Sequence, residues 1–288
     1  MASVTLPLEA GGAGGHQEVG TVIPMDPTAR FVALAHQPEA VMPLDELALL
    51  IAAHARADLD VAAELARLDE LAAGVGERSI EALCHHLFVD QGFVGDHDDY
   101  YDPANSYLDQ VLERRTGIPI TLAVVMIEVG RRAGVALAGV SMPGHFLVRS
   151  MGEDAVPLRL LDPFDGGATL DREACEARVR KLLGPAVVFE AAFVEPVGTA
   201  TIVARMLANL DAIAVARADR AMLDWVVRLR AAMPGSPAVL QRRLAGSLAA
   251  SCQFDQAADV LERLASSEAE AEPGETLATA RRLRARLN

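Results

Sequence analysis

Cysteine is scarce in this chain: Cys84, Cys175 and Cys252 are three in 288 residues, widely spaced and odd in number. They make neither a CxxC pair nor a disulfide framework, which fits a reducing compartment. Aromatic residues are scarce too, at 4% against 51% apolar residues, so a sizeable core has to be built mainly from Ala, Leu and Val. Positive charge falls short of negative, with a net charge of -14, which argues against a nucleic-acid surface because phosphate binding needs clustered Lys and Arg. Apolar runs such as Ala48–Ala53 and Leu122–Ile127 stop well short of the ~20 residues that span a bilayer, and the N-terminus lacks a basic start followed by a long apolar segment. Phosphate loops are missing as well, since Gly11–Gly15 has neither a preceding strand nor a following Lys-Ser/Thr. These absences predict a soluble cytoplasmic protein with no membrane and no nucleic-acid partner.

Order along the chain follows from hydropathy and punctuation. Residues 1–25 mix glycines with isolated Val and Leu and show no period, which predicts a flexible arm ending near residue 30. From Pro43, helical spacing groups Leu44, Leu47, Leu50 and Ile51; then Val61, Leu65, Leu68 and Leu71 behind a capping Asp60; then Ile80, Leu83, Leu87 and Phe88 from Ser79. A polar stretch over Gln91–Pro103 precedes a helix over Asn105–Arg114. Thr116-Gly117 breaks it, and Ile118–Ala133 is apolar nearly all round, the pattern of a helix buried at a domain centre. Short apolar segments at Val135–Met142, His145–Ser150 and Pro157–Leu161 predict three strands, with a hairpin turn at Met151–Ala155.

A further helix is expected from Asp171 to about Leu183, while Val187–Val194 reads as a strand or an extended link. Ala- and Leu-rich helices follow over Thr201–Ala216, Ala218–Ala232, Pro237–Ser251, Phe254–Ala265 and Glu275–Leu287. Helices before strands, instead of alternating with them, indicate an α+β fold. The last helices pair with a phasing of ~34 residues, setting Leu244, Ala245 and Leu248 roughly against Leu207, Ala208 and Leu210 or Asp211. That predicts a tetratricopeptide-like (TPR-like) helical tail. The expected division is an arm over 1–30, a core domain over 31–195 and the tail over 196–288.

His145 and Asp162 are the residues best placed for chemistry. Pro143-Gly144 would fix the backbone of His145 at the start of an apolar strand, and a pinned imidazole is what general-base work requires. Asp162 ends a neighbouring strand, where it either accepts Nδ1–H of His145 or makes a local turn with Pro163. No nucleophile accompanies them. A thiolate is best activated at a helix N-terminus, where the dipole lowers its pKa, yet the buried helix begins with Pro119 and Thr121. The Thr121 hydroxyl fits a cap as readily as a nucleophile.

A buried, inert thiol is expected for each cysteine. His85, His86, His97 and Asp96–Asp99 are close in sequence but show no His-x3-His or Cys-x2-Cys spacing, so no metal and no cofactor are expected. Arg114-Arg115 fits an anion clamp or compensation of a helix dipole, and Asn105 fits a cap or a cleft wall.

Four segments in order carry a resemblance to a known family: Tyr101-Asp-Pro-Ala-Asn-Ser-Tyr-Leu108, Val111-Leu-Glu-Arg-Arg-Thr-Gly-Ile-Pro-Ile-Thr-Leu122, Pro143-Gly-His-Phe-Leu-Val-Arg149 and Asp162-Pro-Phe-Asp-Gly-Gly167. Together they resemble the SirB1 family, the branch of the transglutaminase-like superfamily with a C-terminal helical-repeat tail. The resemblance implies a papain-like core: a buried helix on a small antiparallel sheet, Cys at the helix start, and His and Asp on successive strands. His145 and Asp162 correspond to the last two. The Cys position falls at or near Pro119, counted back from the Gly134 that ends the helix. Asn105, Tyr107, Arg114, Pro119, Thr121 and Phe146 are the candidates for the surrounding cleft.

Without a thiolate, acyl transfer and thiol-protease hydrolysis both lack their covalent step. The expected function is a non-catalytic or catalytically altered transglutaminase-like protein, regulatory in role, that binds a peptide or protein partner. The alternative is a cryptic hydrolase or acyl transferase that uses His145 and Asp162 with activated water or Thr121.

Overall fold

Asp26 caps the first helix, α1 (Pro27–Ala35), by accepting the Ala29 N–H at 3.1 Å, and Pro27 supplies a fixed φ to its first turn. The computed structural model describes residues 26–151, 159–267 and 270–287. The arm expected over 1–30 therefore gives way to helix at Pro27, while residues 1–25 lie outside the described residues. Helix α1 is docked on α2 (Leu44–Ala53) by buried Phe31 and Ala35 and by a hydrogen bond of 3.0 Å between Thr28 Oγ1 and His54 Nε2. His54 Nδ1 contacts the Leu50 carbonyl at 2.8 Å, and its ring stacks on Trp225 at 5.4 Å. Burial holds the His54 pKa below the usual histidine range, overriding the Leu50 carbonyl and Asp26, which favour the charged ring.

Next come α3 (Val61–Ala73) and the short α4 (Ile80–Cys84), which runs on into a π-helical segment, His85–Asp90. Asp60 caps α3 through the N–H groups of Ala62 and Ala63, as its position predicted. Strand β1 (Val94–Gly95) pairs in parallel with β2 (Thr116–Gly117), which leads directly into the central helix. Between them, the helix expected over Asn105–Arg114 is split. Pro103–Ser106 is a 3-10 turn capped by Asp102, and α5 covers Leu108–Arg114.

Helix α6 (Pro119–Ala133) is the axis of the molecule, buried at every position from Pro119 to Gly130. Its apolar surround is why it reads as central: each fully buried Leu, Val or Ile contributes roughly 1.5–3 kcal/mol relative to exposure. Gly134 ends it in the left-handed region, at φ 78, where only glycine is unstrained. At that end the buried acids Asp45 and Glu128 are neutralised together by Arg131 and Arg132.

Five antiparallel strands form the sheet: β3 (Leu137–Val140), β4 (Leu147–Ser150), β5 (Leu160–Asp162), β6 (Ala168–Leu170) and β7 (Pro196–Val197), in the order β6-β5-β4-β3-β7. Strands β3 and β4 are shorter than the sequence pattern suggested, and His145 lies in the turn before β4, not within a strand. The expected Met151–Ala155 turn lies outside the described residues except for Met151. Val187–Val194 forms no strand; its end is a 3-10 turn feeding β7.

Alternation along the strands puts Val148 and Leu161 in the main core under α6. Leu147 and Leu160 point the other way, against Cys175 and Val179 of α7 (Arg172–Leu183). The sheet is thus covered by a helix on each face.

The main core continues past residue 195. Helix α8 (Thr199–Ala216) sends Ile202, Val203, Met206, Leu207 and Leu210 into it, and α9 (Arg220–Ala232) adds Met222, Val226 and Leu229. The division expected at 195/196 therefore cuts through one apolar cluster. A separate small cluster joins α10 (Ala238–Ala250), α11 (Phe254–Ala265) and α12 (Pro273–Arg284), centred on Leu248, Ala257, Ala258 and Leu261. By length and composition, α8 is also the one described helix apolar enough to cross a membrane, and its buried face is occupied by the core. Run-length reading passed over it because Arg205 and Asp211 interrupt its apolar residues.

Candidate functional site

The backbone around His145 is set by a reverse turn. His145 N–H donates to the Met142 carbonyl at 3.1 Å, Pro143 takes the second position, and Gly144 takes the third at φ 72. That is the residue pattern of a type II turn, which needs positive φ at its third residue. A second clamp comes from α8. Arg205 donates to Ser141 Oγ at 2.5 Å, to the Met142 carbonyl at 3.1 Å and to the His145 carbonyl at 3.0 Å, with its guanidinium 5.5 Å from the centre of the Phe146 ring. Burial lowers the Arg205 pKa, but the group stays charged and holds the turn from outside the sheet.

The register that pairs Val148 with Leu161 brings the end of β5 alongside this turn. His145 Nε2 lies 2.9 Å from Asp162 Oδ1, so the pair read from the sequence is formed in space. The contact runs through Nε2, whereas Nδ1 was expected, and Nδ1 is the ring nitrogen turned away from Asp162. Both carboxylate oxygens are engaged. Oδ1 also accepts the Phe164 N–H at 3.1 Å, and Oδ2 takes a charged hydrogen bond from Arg178 of α7. Asp162 is 1% exposed. Burial pushes its pKa up, but the hydrogen bonds from His145 and Arg178 outweigh burial and hold the carboxyl below the usual carboxylate range.

The 3-10 turn after β5 places Phe164 perpendicular to the His145 ring, with centroids 6.4 Å apart at 86°. Phe164 also meets the rings of His97 and Tyr100, at 4.5 and 6.0 Å, and its ring lies so near Gly95 that a Cβ there would come within 2.5 Å of it. Glycine in β1 is therefore what admits this aromatic side chain. Around His145 and Phe164 opens a cleft of about 490 Å³, walled further by Pro143, Leu182, Arg178 and Lys181. A pocket of this size and composition is within the range that takes small ligands or peptide side chains.

The other predicted site residues are placed elsewhere. Pro119 is buried at the first turn of α6, behind the cap residue Ile118. Thr121 is fully buried; its Oγ1 lies 2.6 Å from the Asn105 carbonyl and accepts the Ile118 N–H at 3.2 Å. That hydroxyl closes the helix start, so Thr121 is not a nucleophile facing the cleft. Asn105 is fully buried and donates to Asp96 Oδ2 and the Asp99 carbonyl. Arg114 pairs with Asp102 at 3.4 Å and Asp96 at 3.8 Å. Arg115 caps α5 at φ 58 and lies over Phe93, so neither arginine forms a free anion clamp. Tyr107 is buried, which pushes its phenol up to about 12, and Phe146 is packed under Arg205.

Among the cysteines, Cys175 is fully buried, and burial pushes the Cys84 thiol up to about 11. Cys252 departs from expectation: it is exposed at the end of α10, at φ 60. Among the described residues, no three His, Cys, Asp or Glu side chains converge as a metal-ligating cluster.

A family model for the transglutaminase-like superfamily matches residues 44–208, a span that ends inside α8. The chain belongs to that superfamily. It is also 40% identical over 227 residues to a UPF0162 protein of Xylella fastidiosa, covering 73% of this chain and 79% of that one. A UPF0162 protein of Pseudomonas aeruginosa is 34% identical over 197 residues, covering 65% and 69%. Membership therefore extends to the UPF0162 family. Human F-box only protein 21 is 34% identical over 137 residues, 46% of this chain but only 21% of that protein, so the likeness is to a segment of it.

Within this transglutaminase-like fold, sequence reasoning found His145 and Asp162 but missed Arg178, Lys181, Phe164 and His97. For the α7 pair a signal existed. Arg178 and Lys181 are three apart beside the stripe of Cys175, Val179 and Leu182 that faces the sheet and the cleft. His97 was weighed only as a metal ligand and Phe164 only as part of a motif, since only the fold brings residue 97 to residue 164.

Proposed function

We propose that this protein is a non-catalytic SirB1-type member of the superfamily that binds a peptide or protein partner in the His145 cleft. Its location is cytoplasmic and its role regulatory, with α10–α12 acting as a TPR-like tail. One observation carries the reading: the imidazole of a formed His-Asp pair stands at right angles to an aromatic ring, Phe164, while the helix start that would hold a nucleophile offers buried Pro119 and an internally bonded Thr121. A pair held in this way can fix a cleft wall and orient a bound chain, but it has no attacking atom to activate.

The intact contact of 2.9 Å also favours a second reading, a cryptic hydrolase or acyl transferase in which His145 activates water. One design separates the two. Wild type and His145→Ala are profiled on amide, ester and peptide substrates, and wild type is also selected against a displayed random peptide library. The binder reading expects no turnover by either protein and enrichment of peptides that lose affinity on Leu182→Asp. Turnover by wild type that disappears in His145→Ala replaces binding with hydrolysis. A selection that enriches nothing removes the binder.

A further inference from the structure

Lys181 is the only lysine in the chain, against 25 arginines, and it stands on the wall of the His145 cleft. No carboxylate of the described residues lies within salt-bridge distance of its ammonium. One turn earlier on α7, Arg178 spends one N–H on Asp162 and presents the rest of its fork along the same wall. The buried Asp162 is paired with Arg178 and hydrogen-bonded to His145, so its charge is internal to the wall. Facing these groups are apolar surfaces: the Phe164 ring, Pro143, and Leu182, which is 56% exposed and fills the space over Gly144. In a protein of net charge -14, a cleft that combines an unpaired ammonium with an apolar floor is an exception to the general surface.

We propose that the cleft recognises the C-terminus of a peptide, the free carboxylate held by Lys181 and Arg178 and the last, apolar side chain seated against Phe164 and Leu182. This deepens the binding reading above and rests on it. Charge arithmetic selects a carboxylate over a phosphate. Lys181 supplies one uncommitted positive charge, and the exposed Asp165 that also lines the cleft disfavours a dianion. The volume of about 490 Å³ accommodates one or two residues, which fits recognition of a chain end.

Because the lysine is single, reductive methylation with ¹³C-formaldehyde gives one side-chain signal, apart from the terminal amine, and keeps the charge. The labelled full-length protein is titrated with N-acetyl-Phe-Leu as free acid, with its C-terminal amide, and with octanoate. The free acid is expected to move the Lys181 signal along a saturating curve, with the amide at least about tenfold weaker. By calorimetry on unlabelled protein, Lys181→Arg should retain that preference and Lys181→Met should lose it; both replace an exposed side chain, so folding is preserved.

If acid and amide bind equally, the carboxylate proposal is overturned while the peptide cleft stands. Octanoate binding as tightly as the free acid overturns the peptide assignment in favour of a fatty acid. No shift from any probe up to about 10 mM overturns the chain-end proposal; if the library selection described above still enriches cleft-dependent peptides, the binding reading survives that loss.

Discussion

Replacing Arg178 with Ala tests whether the His145–Asp162 wall is held electrostatically. Asp162 is 1% exposed, so taking away Arg178 leaves a buried carboxylate with only the His145 ring and the Phe164 N–H as partners. Breaking a fully buried ion pair costs about 3–5 kcal/mol. The Arg178 side chain is 35% exposed and two partners of Asp162 remain, so the expected loss is nearer about 1.5–3 kcal/mol.

The pH dependence has a defined sign. The Asp162 pKa is depressed in the folded protein: burial raises it, and the bonds from His145 and Arg178 more than compensate. That stabilisation is present above the unfolded carboxyl pKa of about 3.9 and disappears as pH falls through the lower folded value. The difference between wild type and Arg178→Ala, measured by urea unfolding, should therefore be flat from pH 7 to 5. It should shrink as pH falls below about 4. An unchanged m-value would show that the comparison is of stability alone. A difference under about 0.5 kcal/mol at pH 7, or one that stays constant through the acid range, would refute the reasoning.

Thr121→Val, at a fully buried site, strips the hydroxyl from the Asn105 carbonyl and the Ile118 N–H. It should cost about 1–3 kcal/mol in urea unfolding while leaving cleft binding unchanged. Gly144→Ala forces a side chain onto φ 72 and into Leu182, so about 1 kcal/mol of destabilisation is expected, with a shifted His145 ring signal in NMR spectra. His54 is held below its usual pKa by burial, so the unfolded chain binds the extra proton. Stability should fall as pH drops below about 6.5, and His54→Gln should flatten that slope in thermal melts from pH 7.5 to 5.5. Truncation after Met233 should leave a cooperative urea transition because α8 and α9 stay in the core, whereas truncation after Glu195 removes both and should abolish it.

Much of this fold was legible because its signals are local. The Asp60 cap, the Gly134 stop and the all-round apolar helix between Pro119 and Ala133 each follow from a few neighbouring residues. The His145–Asp162 pair was legible through strand order, although the ring nitrogen that makes the contact was not. Strands β3 and β4 came out short because their apolar segments include turn residues that pack without pairing, as Met142 and Phe146 do.

What stayed hidden is long-range. The chain between Val187 and Val197 gave little hint that Pro196-Val197 would pair with β3. The division at residue 195 failed to follow the core because a long amphipathic helix looks the same from sequence whether it caps a domain or begins a tail. The cleft candidates drawn from motif residues were mostly internal supports. Asn105, Thr121 and Phe146 hold the elements that carry the site and do not line it.

Arg205 gives the molecule a mechanical property. Its guanidinium is the only described side chain of α8 that hydrogen-bonds the Met142–His145 turn, beside the apolar contact that α8 makes with Phe146 in the core. Helix α9 packs on α8 and on α10, which places the far helices in series with that fork. If a cleft ligand shifted α8, linkage would require a ligand of the outer helices that shifts α8 to change cleft affinity by the same factor. Arg205 is thus the polar joint at which the long helix meets the turn that carries His145.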